Sequence, residues 1–409
     1  MEPCQAWFHR QCPALRNMVE AVDLIVLGGG CAGLSLCRQL TALGKICPRT
    51  VVIESRKQYL NDRTWCFWGD DALPNKYRIQ HRWHRMRVSY ADTSVTLSCG
   101  STPYQMLAAE DFYADAQAAI AAHPHTRLKL GTVVLGDPVK VAGLWQVQTS
   151  AGVFSSAMLV DTRPALAPVR DGAVLWQSFY GREIECSAAV FDPLCVDLMD
   201  FLPPHADHIP FVYVLPISPT RALVEVTVFG ATPLAPAALR QSLDTAVSRR
   251  TGSAPSRVVR SEHGILPMGL VKPVQHPDPS RVRVGLTAGA ARPSTGYAFQ
   301  RIQRWAQECA LSISTTGLPV GHRPDPAPLR AMDRLFLDVL RANPRGGGQI
   351  FFSLFSAAQT PRVIRFLSGL GRVDDALAVV AAMPFKPFIR AALTPRFMKP
   401  GPQSIGRRA

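Results

Sequence analysis

Glu225 and the stretch Gly28-Gly29-Gly30-Cys31-Ala32-Gly33 carry the residue types from which chemistry could be built. Glu225 interrupts the run Ala222-Leu-Val-Glu-Val-Thr-Val-Phe229, which reads as a β-strand. Period-2 alternation puts Leu223, Glu225, Thr227 and Phe229 on one face and Ala222, Val224, Val226 and Val228 on the other. The acid then has no basic neighbour on its own face of that strand. Exposed on an edge strand, it would be an ordinary solvated carboxylate. Enclosed by apolar and aromatic groups, it would have a raised pKa and could donate a proton near neutral pH. The run Phe211-Val-Tyr-Val-Leu-Pro216 precedes it, so the two read as a hairpin, and simple register sets Tyr213 opposite Glu225.

Gly28, Gly30 and Gly33 fit G-x-G-x-x-G between an apolar strand beginning near Asp23 and a helix from about Cys31 to Leu43. Such glycines make a tight turn, admit a pyrophosphate to the backbone and let helix pack on strand. The helix N-terminus adds free N–H groups and a positive dipole end. A second strand, Thr50-Val-Val-Ile-Glu54, ends in an acid suited to the ribose hydroxyls of an adenine dinucleotide. A second small-residue loop, Gly289-Ala-Ala-Arg-Pro-Ser-Thr295-Gly296-Tyr297, leads into another helix and is a further place for backbone N–H groups to meet a cofactor. The chain has no G-x-S-x-G, H-E-x-x-H or P-loop lysine, so a cofactor must carry much of the chemistry. The Gly-Asp pair of many flavin hydroxylases is absent from Val284-Gly-Leu-Thr-Ala-Gly289, which counts against a plain hydroxylase.

The surrounding elements suit an α/β fold: a Rossmann-like dinucleotide-binding domain, an inserted antiparallel sheet, and a helical carboxyl-terminal region. Residues 1–21 read as a disordered tail, 22–175 and 257–327 as the interleaved dinucleotide domain, 176–256 as the antiparallel substrate domain, and 328–409 as the helical region. The polar turn and aromatic group Asn61-Asp-Arg-Thr-Trp65-Cys-Phe67-Trp68 follows the second strand. It would lie near the strand ends where such folds bind ligands. At 409 residues the chain is ample for a large core, and no uncharged apolar run is long enough to span a bilayer. Its 45 Lys and Arg outnumber 30 Asp and Glu, giving a charge of +15 spread along the chain. That excess suits a membrane surface or simple solvation, and without a basic stripe interleaved with aromatics it does not suit nucleic acid. The ten cysteines are irregularly spaced and read as reduced cytosolic thiols, with no metal-like cluster. Carboxyl-terminal runs such as Ile350-Phe-Phe-Ser-Leu-Phe355 and Pro384-Phe-Lys-Pro-Phe388 suit either packing on the sheet or a lipid interface.

Taken together, the chain resembles the bacterial flavin-dependent lycopene cyclases. The matching pieces run in that family's order: the Gly28–Gly33 turn, Asn61-x-x-Thr64-Trp65-x-Phe67, Phe211–Pro216, Ala222-Leu-Val-Glu225-x-Thr227, Gly264-Ile-Leu-Pro-Met268, Pro293-Ser-Thr-Gly-Tyr297, Asp333-Arg-x-Phe and Pro387-Phe-x-Arg390. The resemblance implies a carotenoid substrate, lycopene, drawn from the membrane and cyclised to β-ionone rings (γ-carotene, then β-carotene) without net redox change. It implies reduced FAD, with NAD(P)H as the electron source, and a cytoplasmic protein peripheral to the membrane. It places the family's essential acid on Glu225, the cofactor on Gly28–Gly33, Glu54, Gly289, Thr295 and Gly296, and the substrate near Trp65, Phe67, Tyr213, Thr227 and Tyr297. Some relatives follow the essential acid directly with a second one. Val226 stands there in this chain, which brings any mechanism needing a carboxylate pair into question. A lipid-directed FAD monooxygenase and a non-catalytic dinucleotide-binding membrane protein are the rival readings.

Overall fold

Apolar strand runs punctuated by glycine turns sort this chain into three sheets flanked by helices. The structure, a computed structural model, describes residues 19–70, 77–164, 173–269 and 276–393. Elements are numbered along the chain. The first sheet runs β8 (Thr126–Lys129), β2 (Thr50–Ile53), β1 (Val19–Leu27), β11 (Gly152–Asp161), with β17 (Arg281–Arg283) beside the end of β11. All these neighbours pair in parallel. The hairpin of β9 (Val139–Val141) and β10 (Leu144–Thr149) adds antiparallel to the start of β11. Parallel strands are covered on both faces, which is why Leu24–Leu27 and Val51–Ile53 are continuous apolar runs. One face packs on α1 (Cys31–Thr41), α2 (Ala109–Ala121) and α4 (Phe299–Thr316).

The second sheet has the order β16 (Ser256–Gly269), β12 (Ala173–Cys186), β15 (Arg221–Gly230), β14 (His208–Ser218), β13 (Cys195–Phe201), β5 (Arg85–Tyr90), β6 (Thr93–Ser98). Val212, Val214, Val224, Val226 and Val228 face α3 (Pro236–Thr251), where Leu239, Leu243 and Ala246 receive them. The opposite face, with Phe211, Leu215, Leu223 and Phe229, packs toward the third sheet and the carboxyl-terminal helices. The third sheet is β3 (Thr64–Trp68), β7 (Tyr104–Ala108), β4 (His81–Trp83). The helices are α5 (Ala327–Ala342), α6 (Gly347–Ala357), α7 (Thr360–Leu367), α8 (Val373–Ala382) and α9 (Phe385–Leu393).

The fold class is the one expected: Rossmann-like α/β with an antiparallel sheet and a helical carboxyl-terminal region. The sheets do not respect the expected boundaries. β16 lies in the span assigned to the dinucleotide unit, yet it pairs with β12 along almost its whole length. The hairpin β5–β6 extends the same sheet from its far side through β13. Pairing over a long register outweighs position in the chain. Residues 19–21, expected in the tail, belong to β1, whose pairing with β11 begins at Val19. The rest of that tail and residues 394–409 lie outside the described residues. Among the described residues no helix is long and apolar enough to cross a membrane, and no His/Cys/Asp/Glu group could hold a metal ion.

Candidate active site

The glycine turn is built as its spacing requires. Gly28 has φ +95°, a region that favours glycine, and a Cβ on Gly33 would lie 2.1 Å from the Gly28 carbonyl oxygen. A Cβ on Gly30 would meet nothing within 4 Å, so the turn opens there onto free space. Gly30 also caps α1 without any side-chain hydrogen bond, leaving the first-turn N–H groups for a ligand. Ala32 is buried against the core, and burial pushes the Cys31 thiol up to about 12, so Cys31 serves as a small protonated filler.

Glu54, at the end of β2, is buried beneath this turn and accepts from the Gly29 N–H at 2.6 Å. Arg56 grips the same carboxylate through its backbone N–H at 2.8 Å and its Nε at 3.1 Å. Burial pushes the Glu54 carboxyl up, but the Arg56 hydrogen bonds and charge outweigh it and hold the group below its usual range. Arg56 in turn lies over the Tyr59 ring, which stacks on Tyr113 with centroids 4.4 Å apart. The acid is legible in the sequence but this arginine–tyrosine frame is not, although Arg56 stands only two residues beyond it.

The second loop comes to the antiparallel sheet. Gly296 has φ +72°, and a Cβ there would lie 2.9 Å from the Gln177 Oε1. Thr295 Oγ1 accepts from the Tyr297 N–H at 3.3 Å. Gly289 is also left-handed, at φ +89°, with open space around it. The loop is clamped from below. Arg292, 1% exposed, donates to Asp333 of α5 at 3.2 Å, and the Ser294 hydroxyl donates to the same oxygen at 2.7 Å. Arg292 also donates to the Phe366 carbonyl on α7. Nothing local in the sequence pairs Asp333 with Arg292; their partnership exists only in three dimensions.

Glu225 is not on an edge. β15 sits between β12 and β14, and Glu225 is 7% exposed. The expected register holds: Tyr213 is its direct partner on β14. The Tyr213 hydroxyl donates to Tyr104 at 3.0 Å, and Tyr104 lies 3.4 Å from the Tyr297 hydroxyl. Burial pushes all three phenols up, so the chain of tyrosines is neutral. The Thr227 hydroxyl donates to Glu225 Oε1 at 2.8 Å. On the other side, Gly181 of β12 is opposite Glu225, and Glu262 of β16 is opposite Gly181. Opposed residues share a face, so Tyr213, Glu225, Gly181 and Glu262 form one row across four strands.

Glu262 is 4% exposed. It accepts from Thr64 Oγ1 at 2.7 Å and from Arg260 at 2.5 Å. Arg260 continues to Glu183 at 2.6 Å, and Glu183 to Arg221 at 2.6 Å. The expectation that Glu225 has no basic neighbour on its face holds within Ala222–Phe229; Arg221 stands four residues back on the same face of β15, and Arg260 arrives from β16, one row away. Burial, then the Glu262 charge, pushes the Glu225 carboxyl up to about 8, against the weaker pull of Thr227 and Arg260. Glu262 is raised too, chiefly by burial, but Arg260 and Thr64 favour its ionised form.

Two expected substrate residues face away from Glu225. Trp65 and Phe67 point from β3 into the dinucleotide side, where Phe299 meets them at 5.5 and 5.0 Å. Alternation along β3 brings Thr64, Cys66 and Trp68 to the Glu225 side instead. Cys66 lies beside Tyr213, and Trp68 contacts Tyr104 and Tyr297 at 4.8 and 5.4 Å. Tyr213 is opposite Glu225 and Thr227 hydrogen-bonds to it, while Tyr297 is joined to Tyr213 through Tyr104.

Known proteins resemble this chain in sequence and in fold. A lycopene beta-cyclase of Pseudescherichia vulneris is 26% identical over 312 residues, covering 73% of this chain and 76% of its own. One from Pantoea ananas is 27% identical over 289 residues, covering 68% of this chain and 71% of its own. Among solved structures, a geranylgeranyl bacteriochlorophyll reductase-like protein of Thermoplasma acidophilum superposes with a TM-score of 0.59 at 14% identity, covering 92% of this chain and 99% of that one. A flavin-dependent brominase superposes at 0.57 with 16% identity, covering 88% and 98%. These likenesses establish the shared fold. The lycopene cyclase protein family matches residues 23–393, and the chain therefore belongs to the lycopene cyclase family.

Proposed function

We propose that this protein is a lycopene β-cyclase, an intramolecular lyase converting the linear ψ ends of lycopene to β-ionone rings. The observation that carries the reading is Glu225: a buried acid, raised to about 8, set between a neutral tyrosine and a gap left by glycine. Such a group is protonated at neutral pH and can donate to an alkene.

FAD fits the residues present. The uncapped start of α1 and the open space at Gly30 suit the pyrophosphate, and Glu54 suits the ribose hydroxyls. Beside Gly296, the Gln177 Oε1 is buried with no hydrogen-bond partner, and it could accept from a ring N–H. When bound, reduced FAD would supply an electron-rich ring able to stabilise developing positive charge, with NAD(P)H as its electron source.

Glu225 gives its proton to C2 of the terminal double bond, leaving a tertiary cation at C1. The 5,6 double bond closes on that cation, and loss of the C6 proton completes the β ring. One proton enters and one leaves, so mass is unchanged. The new Glu225 carboxylate stabilises the cation at short range, and Tyr213 adds a cation–π face worth ~0.5–2 kcal/mol. Trp68, Tyr104 and Tyr297 keep water from the cation, which would otherwise be hydrated.

A carotenoid dissolves in lipid, and α8 and α9 carry a surface for it. Val373, Leu377 and Val380 recur at helical spacing, as do Phe385, Ile389 and Leu393, and all six are exposed. With the excess positive charge this suits peripheral docking on an anionic bilayer at the cytoplasmic face. The test is an anaerobic incubation of the protein with reduced FAD and lycopene in liposomes. Cyclic product of unchanged mass is expected, and E225Q should abolish it while flavin stays bound. A product gaining oxygen, or E225Q forming rings at the wild-type rate, overturns the reading.

A further inference from the structure

We propose that Glu262 is a positioning residue for Glu225: the two carboxyl groups, facing each other across Gly181, share one proton, and Glu262 keeps it on Glu225. The inference rests on Glu225 being the proton donor. It supplies from β16, on the far side of β12, the second acid that Val226 removes from the expected place.

The row geometry makes the pair. β12 separates the two acids, so their backbones stand about 9–10 Å apart, twice the strand spacing. That is too far for most cross-strand pairs. Gly181 has no side chain between them, and Glu225 already occupies part of that gap, with its Cβ and Cγ at 3.1 and 3.3 Å from where a Gly181 Cβ would be. Long side chains can then lean toward each other over the glycine.

The charges decide where the proton rests. The ionisable groups around Glu225 are Arg221 on its own strand, Glu183 on β12, Arg260 and Glu262 on β16, Tyr213 on β14, Cys66 on β3, Tyr104 on β7 and Tyr297 before α4. Burial keeps Cys66 and the tyrosines neutral. Arg260 and Arg221 are matched by Glu183 and Glu262 through continuous hydrogen bonds. Two cations and two carboxylates balance, so a third ionised acid would leave an unpaired buried charge. Arg260 and Thr64 donate to Glu262 and favour its ionised form against burial, whereas among the described residues Glu225 has Thr227 as its side-chain hydrogen-bond partner. The proton therefore resides on Glu225. Transfer to the substrate leaves one negative charge on the pair at the moment the substrate gains one positive charge, and return of the C6 proton restores balance.

The experiment pairs a pH–rate profile with carboxyl infrared spectra of the flavin-loaded protein. Wild type should show one protonated carboxyl at pH 7 that E225Q removes, because Glu262 stays ionised. In E262Q the alkaline limb of cyclisation should move to lower pH by about one unit or more, since a like charge is lost. E262D should restore the limb. A folded, flavin-loaded E262Q with uniformly low activity and an unmoved limb would overturn the proposal, as would no protonated carboxyl, or two, in wild type. Should E262Q fail to fold, the wild-type and E225Q spectra still decide. Failure of lycopene to cyclise counts against the donor reading, whereas the spectra report the shared proton independently.

Discussion

Gly181 stands directly opposite Glu225 in the antiparallel sheet, and a side chain on it would press against the Glu225 Cβ at 3.1 Å. A glycine in a strand interior forfeits packing and conformational restraint, so its place here has to be explained by what passes over it. Gly181→Val should fill the gap between the two acids and displace Glu225. Cyclisation should fall roughly 10-fold or more, about 1.4 kcal/mol in the barrier. The melting temperature should fall modestly as well, since the added methyls crowd Glu225 and Leu223, while flavin retained after desalting should show the fold intact. Turnover and melting curves of the same preparation check this.

The raised Glu225 pKa has a stability cost with a defined sign. The folded group titrates near 8 against a reference of 4.5, so the folded chain binds the extra proton between those values. The neutral acid is tolerated below about pH 4.5, and stability falls as pH rises toward 8, then levels. E225Q carries no such burden. Its stability relative to wild type should grow by roughly 2–4 kcal/mol between pH 5 and pH 8.5. Denaturant unfolding across that range tests it, and an unchanged difference would remove the pair from the account.

Two glycines of the same turn should behave differently. Gly33→Val drives a side chain into the Gly28 carbonyl, so the Rossmann unit itself should be destabilised. Gly30→Leu meets open space in the protein alone, so the fold should survive while the side chain fills the pyrophosphate position. Melting temperature should drop for the first. Flavin absorbance after desalting should vanish for the second, without a comparable loss of melting temperature.

Removing Asp333 leaves Arg292 as a buried, uncompensated cation. Asp333→Ala should cost ~3–5 kcal/mol of stability. It should also loosen the loop carrying Thr295 and Gly296, because Ser294 loses the same partner. Denaturant unfolding gives the first number and flavin affinity the second.

The exposed stripe of α9 gives a separate test. Phe385→Asp with Ile389→Asp should reduce sedimentation with anionic vesicles several-fold, since each change replaces buried apolar contact with a repelled charge. Activity on lycopene in detergent should be kept, as neither residue is near Glu225.

Local sequence was enough for everything that depends on local geometry. The glycine turn, the acid ending β2, the hairpin with Tyr213 opposite Glu225, and the Pro293–Tyr297 loop were all legible, because turns and period-2 strands are short-range consequences of residue type. Alternation also contained the correction for Trp65 and Phe67. It assigned them the opposite face from Thr64, but which face looked at Glu225 was decided by packing between sheets.

What only the tertiary structure decided is the partnership of distant strands. β16 is a mostly exposed strand, in which Glu262 is buried where Thr64 of β3 and Arg260 close over it. Neither Glu225 nor Glu262 signals the other in sequence, since the residue joining them is a glycine on a third strand. Register between β12, β15 and β16 is set by the whole length of their pairing, a sum over many contacts that no single motif encodes. The sequence by itself determined that a dinucleotide turn and an acid in an apolar strand exist; the fold decided that the acid is buried, and that a second one faces it.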